Sequence, residues 1–242
     1  MRVALLSDIH GNDVAFRVVL DEIERHGVDQ IFCLGDVATL GPNPQRTIEL
    51  LFELNCPCIM GNHDAFLLKP ELIKAYTDAA PVIESVNWCR AQLPKESLDY
   101  LATFNPTLEL PLGLNSTLLL YHGSPRSNMD EILATTPQEQ LEVLLEGRHA
   151  TVMAGGHTHL QMLRSYQGSL LMNVGSVGQP FKEYVAGRRP TILAHAEYAV
   201  VEEQAGVLSV ALHRVPVDRH ALQRSVAESS NPMREWLIQQ YA

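Results

Sequence analysis

The sequence predicts an α/β fold in a single domain, and three observations carry that expectation. Short β-branched or apolar runs alternate with stretches of helical periodicity, the pattern of layered α/β chains. The chain has 242 residues, a length at which such folds often form one unit. No internal repeat, low-complexity segment or Ser/Gly-rich linker divides it, so the expected domain spans residues 1–242.

The elements are read in order. Apolar runs at Arg2–Leu6, Gln30–Leu34, Cys58–Met60, Ser116–Tyr121, Thr151–Ala154 and Ser169–Met172 read as buried strands. Between the first two lies a helix whose Ala15, Val19, Leu20 and Ile23 recur at helical spacing, with Asn12 as N-cap and Gly27 as the residue past its end. A second helix opens at Pro44 after Asn43 and runs through Ile48, Leu51 and Phe52. Pro81, Pro94 and Pro106 break the helical region 64–104 into two or three short helices. Thr136 reads as an N-cap, with Pro137 at the first helical position and Glu139 placed for a capping box. Tyr198–Glu203 and Val207–Arg214 flank Gln204, Ala205 and Gly206 as a β-hairpin. From Asp218 the chain turns polar and helical, with Trp236, Leu237 and Tyr241 as a docking face.

Composition removes several function classes. With 46% apolar residues the chain is globular, and 18 Lys+Arg against 28 Asp+Glu leave a formal charge of −10. Generic nucleic-acid or anionic-membrane binding needs clustered cations to neutralise phosphates. No run approaches the roughly 18 apolar residues of a membrane span, and Val3–Leu6 is too short for a signal sequence. Cys33, Cys56, Cys58 and Cys89 fit neither a Cys-x-x-Cys redox pattern nor zinc spacing. They read as small buried hydrophobes in a reducing compartment, so the expected location is cytoplasmic.

The chemistry is written after the apolar runs, in five polar clusters. These are Asp8-Ile9-His10, Gly35-Asp36, Gly61-Asn62-His63-Asp64, His122-Gly123 and Gly155-Gly156-His157-Thr158-His159. Functional residues of open α/β sheets collect beyond the carboxyl ends of strands, so ligands spread this way can meet in one crevice. Asp8 and His10 are two residues apart, as are His157 and His159; in extended chain each pair would present both side chains to one ion. Any one cluster alone is equally a turn or a capped loop. Together they gather five of the ten histidines and two carboxylates at strand ends, which chance explains poorly. Carboxylate, imidazole and amide oxygen without thiolate suit Mn, Fe, Zn, Co or Ni, with manganese the first choice. Asp8, His10, Asp36, Asn62, His122, His157 and His159 are too many for one catalytic ion that keeps an open position, and suit two ions sharing a carboxylate.

Over roughly the first 180 residues, this ordered set of clusters resembles the calcineurin-like metallophosphoesterases. Asn173–Pro180 and Gly41-Pro42-Asn43-Pro44 are similar to the small bacterial branch that includes phosphodiesterases and diadenosine-tetraphosphate hydrolases. The resemblance implies a four-layer α-β-β-α sandwich of two mixed sheets. It implies one metal held by Asp8, His10 and His159, a second by Asn62, His122 and His157, and Asp36 held by both. A bridging anion at Asp36 also makes physical sense, because two cations roughly 4 Å apart repel unless an anion lies between them.

The implied activity is hydrolysis of a phosphodiester or phosphoanhydride bond of a small phosphorylated substrate by a metal-bridging hydroxide. His63 is the candidate to protonate the leaving oxygen or to hydrogen-bond the phosphoryl group, and Asp64 either orients it or is a solvent-facing turn carboxylate. Asn62 and His63 are the expected substrate contacts, with Asn12, Ser176 and Gln179 weaker ones. Arg188 and Arg189 read as a solvated pair that an extended substrate would reach, in a stretch departing from the branch pattern. Residues 66–104 and 180–198 are the expected cleft walls. Phosphomonoester or phosphoprotein hydrolysis is the alternative, and a non-catalytic scaffold ranks below both because the ligand set is intact. A nuclease reading lacks a basic groove, and homodimerisation stays open.

Overall fold

The computed structural model describes residues 1–185 and 187–242. Its strands form two mixed sheets. In the first, the order is β2 (Gln30–Cys33), β1 (Arg2–Leu6), β8 (His195–Gln204), β9 (Val207–Pro216). The second runs β3 (Leu108–Pro111), β4 (Thr117–Leu120), β5 (Val152–Gly155), β7 (Ser169–Asn173), β6 (Met162–Tyr166). β1 and β2 are parallel, as are β4 with β5 and β5 with β7, while the other pairings are antiparallel.

Strand alternation builds the layers, because successive side chains leave opposite faces of a sheet. Val3 and Leu5 of β1 pack with Leu118, Leu120, Val152 and Ala154 of the second sheet, forming the core between the sheets. Their neighbours Ala4 and Leu6 face the other way, onto Phe16 and Val19 of α1 (Asp13–His26) and Leu51 of α2 (Pro44–Leu54). On the far side, Leu119, Met153 and Leu171 meet Leu141, Leu144 and Leu145 of α7 (Gln138–Leu145). The result is the four-layer sandwich that the resemblance implied.

The region after the second helix divides more finely than expected. It holds α3 (Asn62–Leu68), a 3-10 turn at Pro70–Leu72, α4 (Ile73–Tyr76), α5 (Ala80–Ala91) and α6 (Lys95–Leu101). The chain closes with α8 (Arg219–Glu228) and α9 (Arg234–Gln240), which bury Leu237 and Tyr241 against the outer face of the first sheet.

Several local expectations need correction. Cys58–Met60 forms only isolated bridges, Cys33 to Cys58 and Ile59 to Asn105; Pro57 before it and the start of α3 at Asn62 leave no length for a strand. β3 and β6 were not anticipated. Both are outermost strands with half-exposed, mixed patterns such as Met-Leu-Arg-Ser-Tyr. The N-cap of α7 is Pro137, one residue later than expected, while Thr136 Oγ1 accepts from Leu133 N (2.8 Å). The second helix does open at Pro44 after Asn43, whose side-chain amide donates to Asp13 (2.7 Å) and Ser225 (2.8 Å). The hairpin turn is Ala205-Gly206, both at positive φ, and its strands run farther than predicted at both ends.

Candidate metal centre

The loops after β1, β2, β4 and β5 and the start of α3 converge on one buried cluster. Among the described residues, two groups offer ligand atoms close enough to hold an ion: Asp8, His10 and His159, and Asp36, His122 and His157. Asn62 joins the second, its Oδ1 lying 3.1 Å from His122 Nε2. Asp36 stands between them, with Oδ2 3.3 Å from His122 Nε2 and 3.9 Å from His10 Nε2. All seven side chains are buried, His157 being the most exposed at 8%.

The backbone route to this convergence differs from the extended alternation read in the sequence. Asp8 (φ 55°), His10 (φ 48°), His157 (φ 70°) and His159 (φ 57°) are all left-handed, and so is Asp36 (φ 58°). Such conformations are uncommon outside glycine, although Asp and His tolerate them better than most residues. Asp8 and His10 do serve one group, but His157 and His159 divide between the two. Backbone bonds fix the loops: Asp8 N donates to Gly35 O (2.9 Å), His10 N to Asp36 O (3.0 Å) and Gly178 N to Asp8 O (3.0 Å).

The imidazoles are aimed by their outer nitrogens. His122 Nδ1 lies 2.6 Å from Leu34 O, and His159 Nδ1 2.6 Å from Gln179 O. A carbonyl only accepts, so each Nδ1 carries hydrogen and, in the neutral ring, each Nε2 offers a lone pair inward. His10 Nε2 and His159 Nε2 then face each other at 3.0 Å, and Asp8 Oδ1 is buried without a hydrogen-bond donor. Lone pairs and a bare carboxylate oxygen pointing into one volume fit a divalent cation. The residues therefore suit two ions.

Without metal, the charges redistribute among these groups. Burial lowers His10 to about 3, reinforced by His159 and opposed by the two aspartates. It lowers His157 to about 4, with His122 adding to the effect. At His122 burial acts in the same direction but loses to Asp36 and Asp8, and the ring is raised to about 10. At Asp36 burial would raise the carboxyl, yet His122 and His63 hold it well below the usual range.

The three weaker substrate candidates hold the fold together, Asn12 as the N-cap of α1 read from the sequence, and the Arg pair lies at the surface as a solvated pair would. Asn12 spends both ends of its amide inside the fold: Oδ1 accepts from Ala15 N (3.0 Å) and Nδ2 donates to Gly178 O (2.9 Å). Ser176 Oγ donates to Asp8 O (2.7 Å) and accepts from Gln179 N (2.8 Å), so Ser176 and Gln179 scaffold the ligands. Arg188 and Arg189 are exposed.

Asp64 does not orient His63 and is not at the surface. Its Oδ2 accepts from Asp36 N (2.7 Å) and Gly61 N (3.1 Å), and its Oδ1 from Val37 N (2.9 Å). Burial and the Asp36 carboxylate push it up to about 7, against the pull of the N–H groups of Val37 and Asp36. Asp64 thus clamps the loop that presents Asp36 from the first turn of α3, a role its adjacency to His63 did not reveal. Gly61, just before α3, must be glycine, because a Cβ there would collide with Asp36 Oδ1.

His63 is beside the metal groups but in neither. Its ring touches His10 (5.2 Å between centroids), Phe66 (5.2 Å) and Tyr76 (5.7 Å), and its Nδ1 has no hydrogen-bond partner. Tyr76, which sequence reasoning placed only within a wall, also reaches His157 (6.1 Å). On the opposite side Phe181 stacks on His159 at 4.2 Å.

Comparison with known proteins agrees with this geometry. An uncharacterized protein of Methanocaldococcus jannaschii, MJ0912, is 28% identical over 193 residues, 74% of this chain and 76% of that protein. A metallophosphoesterase from Sphaerobacter thermophilus is 26% identical with a TM-score of 0.75, covering 100% of this chain and 98% of its own. The hypothetical protein PH1004 from Pyrococcus horikoshii OT3 shares the fold, with a TM-score of 0.80 at 21% identity over 98% of this chain and 96% of its own. A model of the calcineurin-like phosphoesterase superfamily domain matches residues 1–201, which include every ligand described above, and the chain belongs to that superfamily.

Proposed function

We propose that the chain is a dinuclear metal-dependent phosphoesterase that hydrolyses phosphodiester or phosphoanhydride bonds of small substrates. The observation that carries this reading is the position of Asp36 Oδ2, between His10 of one ligand group and His122 of the other. Asp8, His10 and His159 would hold one divalent ion, Asn62, His122 and His157 the second, and Asp36 both. When bound, such a pair lowers the pKa of water to yield a nucleophile near neutral pH and neutralises phosphoryl oxygens. Manganese suits the oxygen and imidazole donors, and iron, zinc, cobalt and nickel are the alternatives.

The side chains divide the remaining work. Asp36 and Asp8 bring the negative charge that keeps two cations close. The bonds from His122 to Leu34 O and from His159 to Gln179 O fix imidazole orientation before substrate arrives. Burial lowers the pKa of His63, so near neutral pH its ring is a neutral donor. Hydrogen bonding to a phosphoryl or leaving oxygen suits it better than full proton transfer. Asn62, at the first turn of α3, adds an amide whose Nδ2 has no partner in the fold.

The test is metal-stripped protein reconstituted separately with each of the five ions. Each form is assayed on an aryl phosphomonoester, an aryl phosphodiester and diadenosine tetraphosphate. Hydrolysis of the diester or the tetraphosphate in preference to the monoester is expected with at least one ion. Two bound metals without turnover of any substrate would overturn the reading in favour of a binding module.

A further inference from the structure

Resting on that hydrolase reading, we infer that Tyr76 and Tyr184 form an aromatic mouth over the metal groups and select substrates carrying a planar ring, such as a nucleobase, on the phosphoryl group. The two tyrosines come from separate parts of the chain. Tyr76 ends α4, which α3 and the 3-10 turn carry back across the site. Its ring lies 5.7 Å from His63 and 6.1 Å from His157, yet it is 42% exposed where those imidazoles are 4% and 8% exposed. It forms a rim above both a catalytic candidate and a metal ligand.

Tyr184 lies three residues beyond Phe181, whose ring stacks on His159. Tyr184 is 40% exposed, and its hydroxyl donates to Glu131 Oε2 (2.6 Å). Glu131 belongs to the loop after His122, which Asn128 ties to Met60 O (3.4 Å) beside Gly61 and Asn62. Tethering restricts the Tyr184 side chain while leaving ring surface open to solvent.

Exposed rings held by neighbours lose little entropy on stacking, and a nucleobase gains from any such surface whatever its sequence identity. Tyr76 rests one side of its ring on the buried Phe66 (5.6 Å between centroids), but neither hydroxyl bonds to a ligand residue and neither ring belongs to a buried core cluster.

The inference is tested by holding the leaving group constant. Thymidine 5′-(p-nitrophenyl phosphate) and methyl p-nitrophenyl phosphate both release nitrophenol, so the ratio of their kcat/KM values isolates the thymidine. The ratio is expected to favour the nucleoside ester by on the order of tenfold in the wild-type metal-loaded protein. It should fall toward unity in Tyr76→Leu, survive in Tyr76→Phe, and fall partway in Tyr184→Leu. Calorimetric binding of thymidine 5′-phosphate against methyl phosphate should lose the same preference in Tyr76→Leu, without depending on turnover. A wild-type ratio near one, or a ratio unchanged in Tyr76→Leu, overturns the aromatic mouth while leaving hydrolysis standing. Turnover of neither ester with any ion overturns the hydrolase reading, and the mouth with it.

Discussion

Replacing Asp64 by Asn removes one charge and changes one atom, and the structure gives the size of the effect. In the wild type Oδ2 accepts from Asp36 N and Gly61 N, and Oδ1 from Val37 N. An Asn whose carbonyl takes the Oδ2 position keeps two of these bonds in weakened, uncharged form and turns its NH₂ toward the Val37 N–H. One buried donor left facing another costs about 1–3 kcal/mol, and loss of charge assistance in the other two bonds about 0.5–1 kcal/mol each. The sum is about 2–5 kcal/mol of stability. Because Asp36 sits on this clamp, its Oδ2 loses definition, and metal affinity should fall roughly 10- to 100-fold.

Urea unfolding with chelator present, at pH 8 where Asp64 is ionised, reads the structural cost without contribution from bound metal. Manganese titration against a competing chelator reads the affinity. Asp64→Ala, which strands all three donors, should be worse on both measures. If Asp64→Asn unfolds within about 0.5 kcal/mol of wild type and binds metal equally well, the clamp is not what holds Asp36 and the reasoning fails.

Other outcomes follow from the same geometry. His63→Ala should lower kcat by about 10²- to 10³-fold while metal content stays near that of the wild type; a purified variant lacking metal would instead make His63 structural. Gly156→Ala should bind metal at least about tenfold more weakly, because its Cβ would strike the Ser7 side chain and come within 2.6 Å of Asp8 Oδ2. Elemental analysis showing full metal occupancy would contradict that. Metal uptake at pH 7.5 should release at least one proton: His122, raised to about 10, is protonated in the empty site and must be neutral to ligate, whereas His10 and His157, lowered to about 3 and about 4, are already neutral. Apparent affinity therefore rises with pH below that range, and calorimetry in buffers of different ionisation enthalpy should not return a count of zero. Stripping the metals should abolish turnover yet leave the far-ultraviolet circular dichroism of the folded chain unchanged at 25 °C.

The fold and the site were legible in the sequence to different depths. Val3 and Leu5 against Ala4 and Leu6 show why the buried strands could be found: a strand covered on both faces is apolar at every position. β6, with Arg164 and Ser165 at its centre and one neighbour in the sheet, has no such signature. The candidate ligands announced themselves by type and by their place after apolar runs. Their backbone did not, because a left-handed Asp or His leaves no mark on the residues around it. Asp64 and Tyr76 were hidden for another reason. The first acts through where α3 begins, the second through how far α4 folds back, and both are tertiary facts.

Those left-handed residues bear on how the site is used. Asp8, His10, Asp36, His157 and His159 together hold about 5 kcal/mol or more of backbone strain, at about 1 kcal/mol each as a lower figure. That is comparable to the net stability of a whole domain, so the strain cannot rest on metal coordination alone if the empty protein folds. The opposing contacts are internal: β1 and β2 are locked in parallel register, and Asp8, His10 and Gly11 each donate a backbone N–H to the loop after β2. Ser176 and Gly178 hold the other side of Asp8. The candidate ligands are thus set by the two sheets without any ion, which is the basis for expecting a chelated chain to keep its secondary structure, unlike small metal-folded domains. It also locates positive charge in a chain of net charge −10. On the proposed reading the cleft would gain its attraction for phosphate from the ions its acidic residues collect, so binding of an anionic substrate should follow metal occupancy far more closely than it follows the distribution of Lys and Arg.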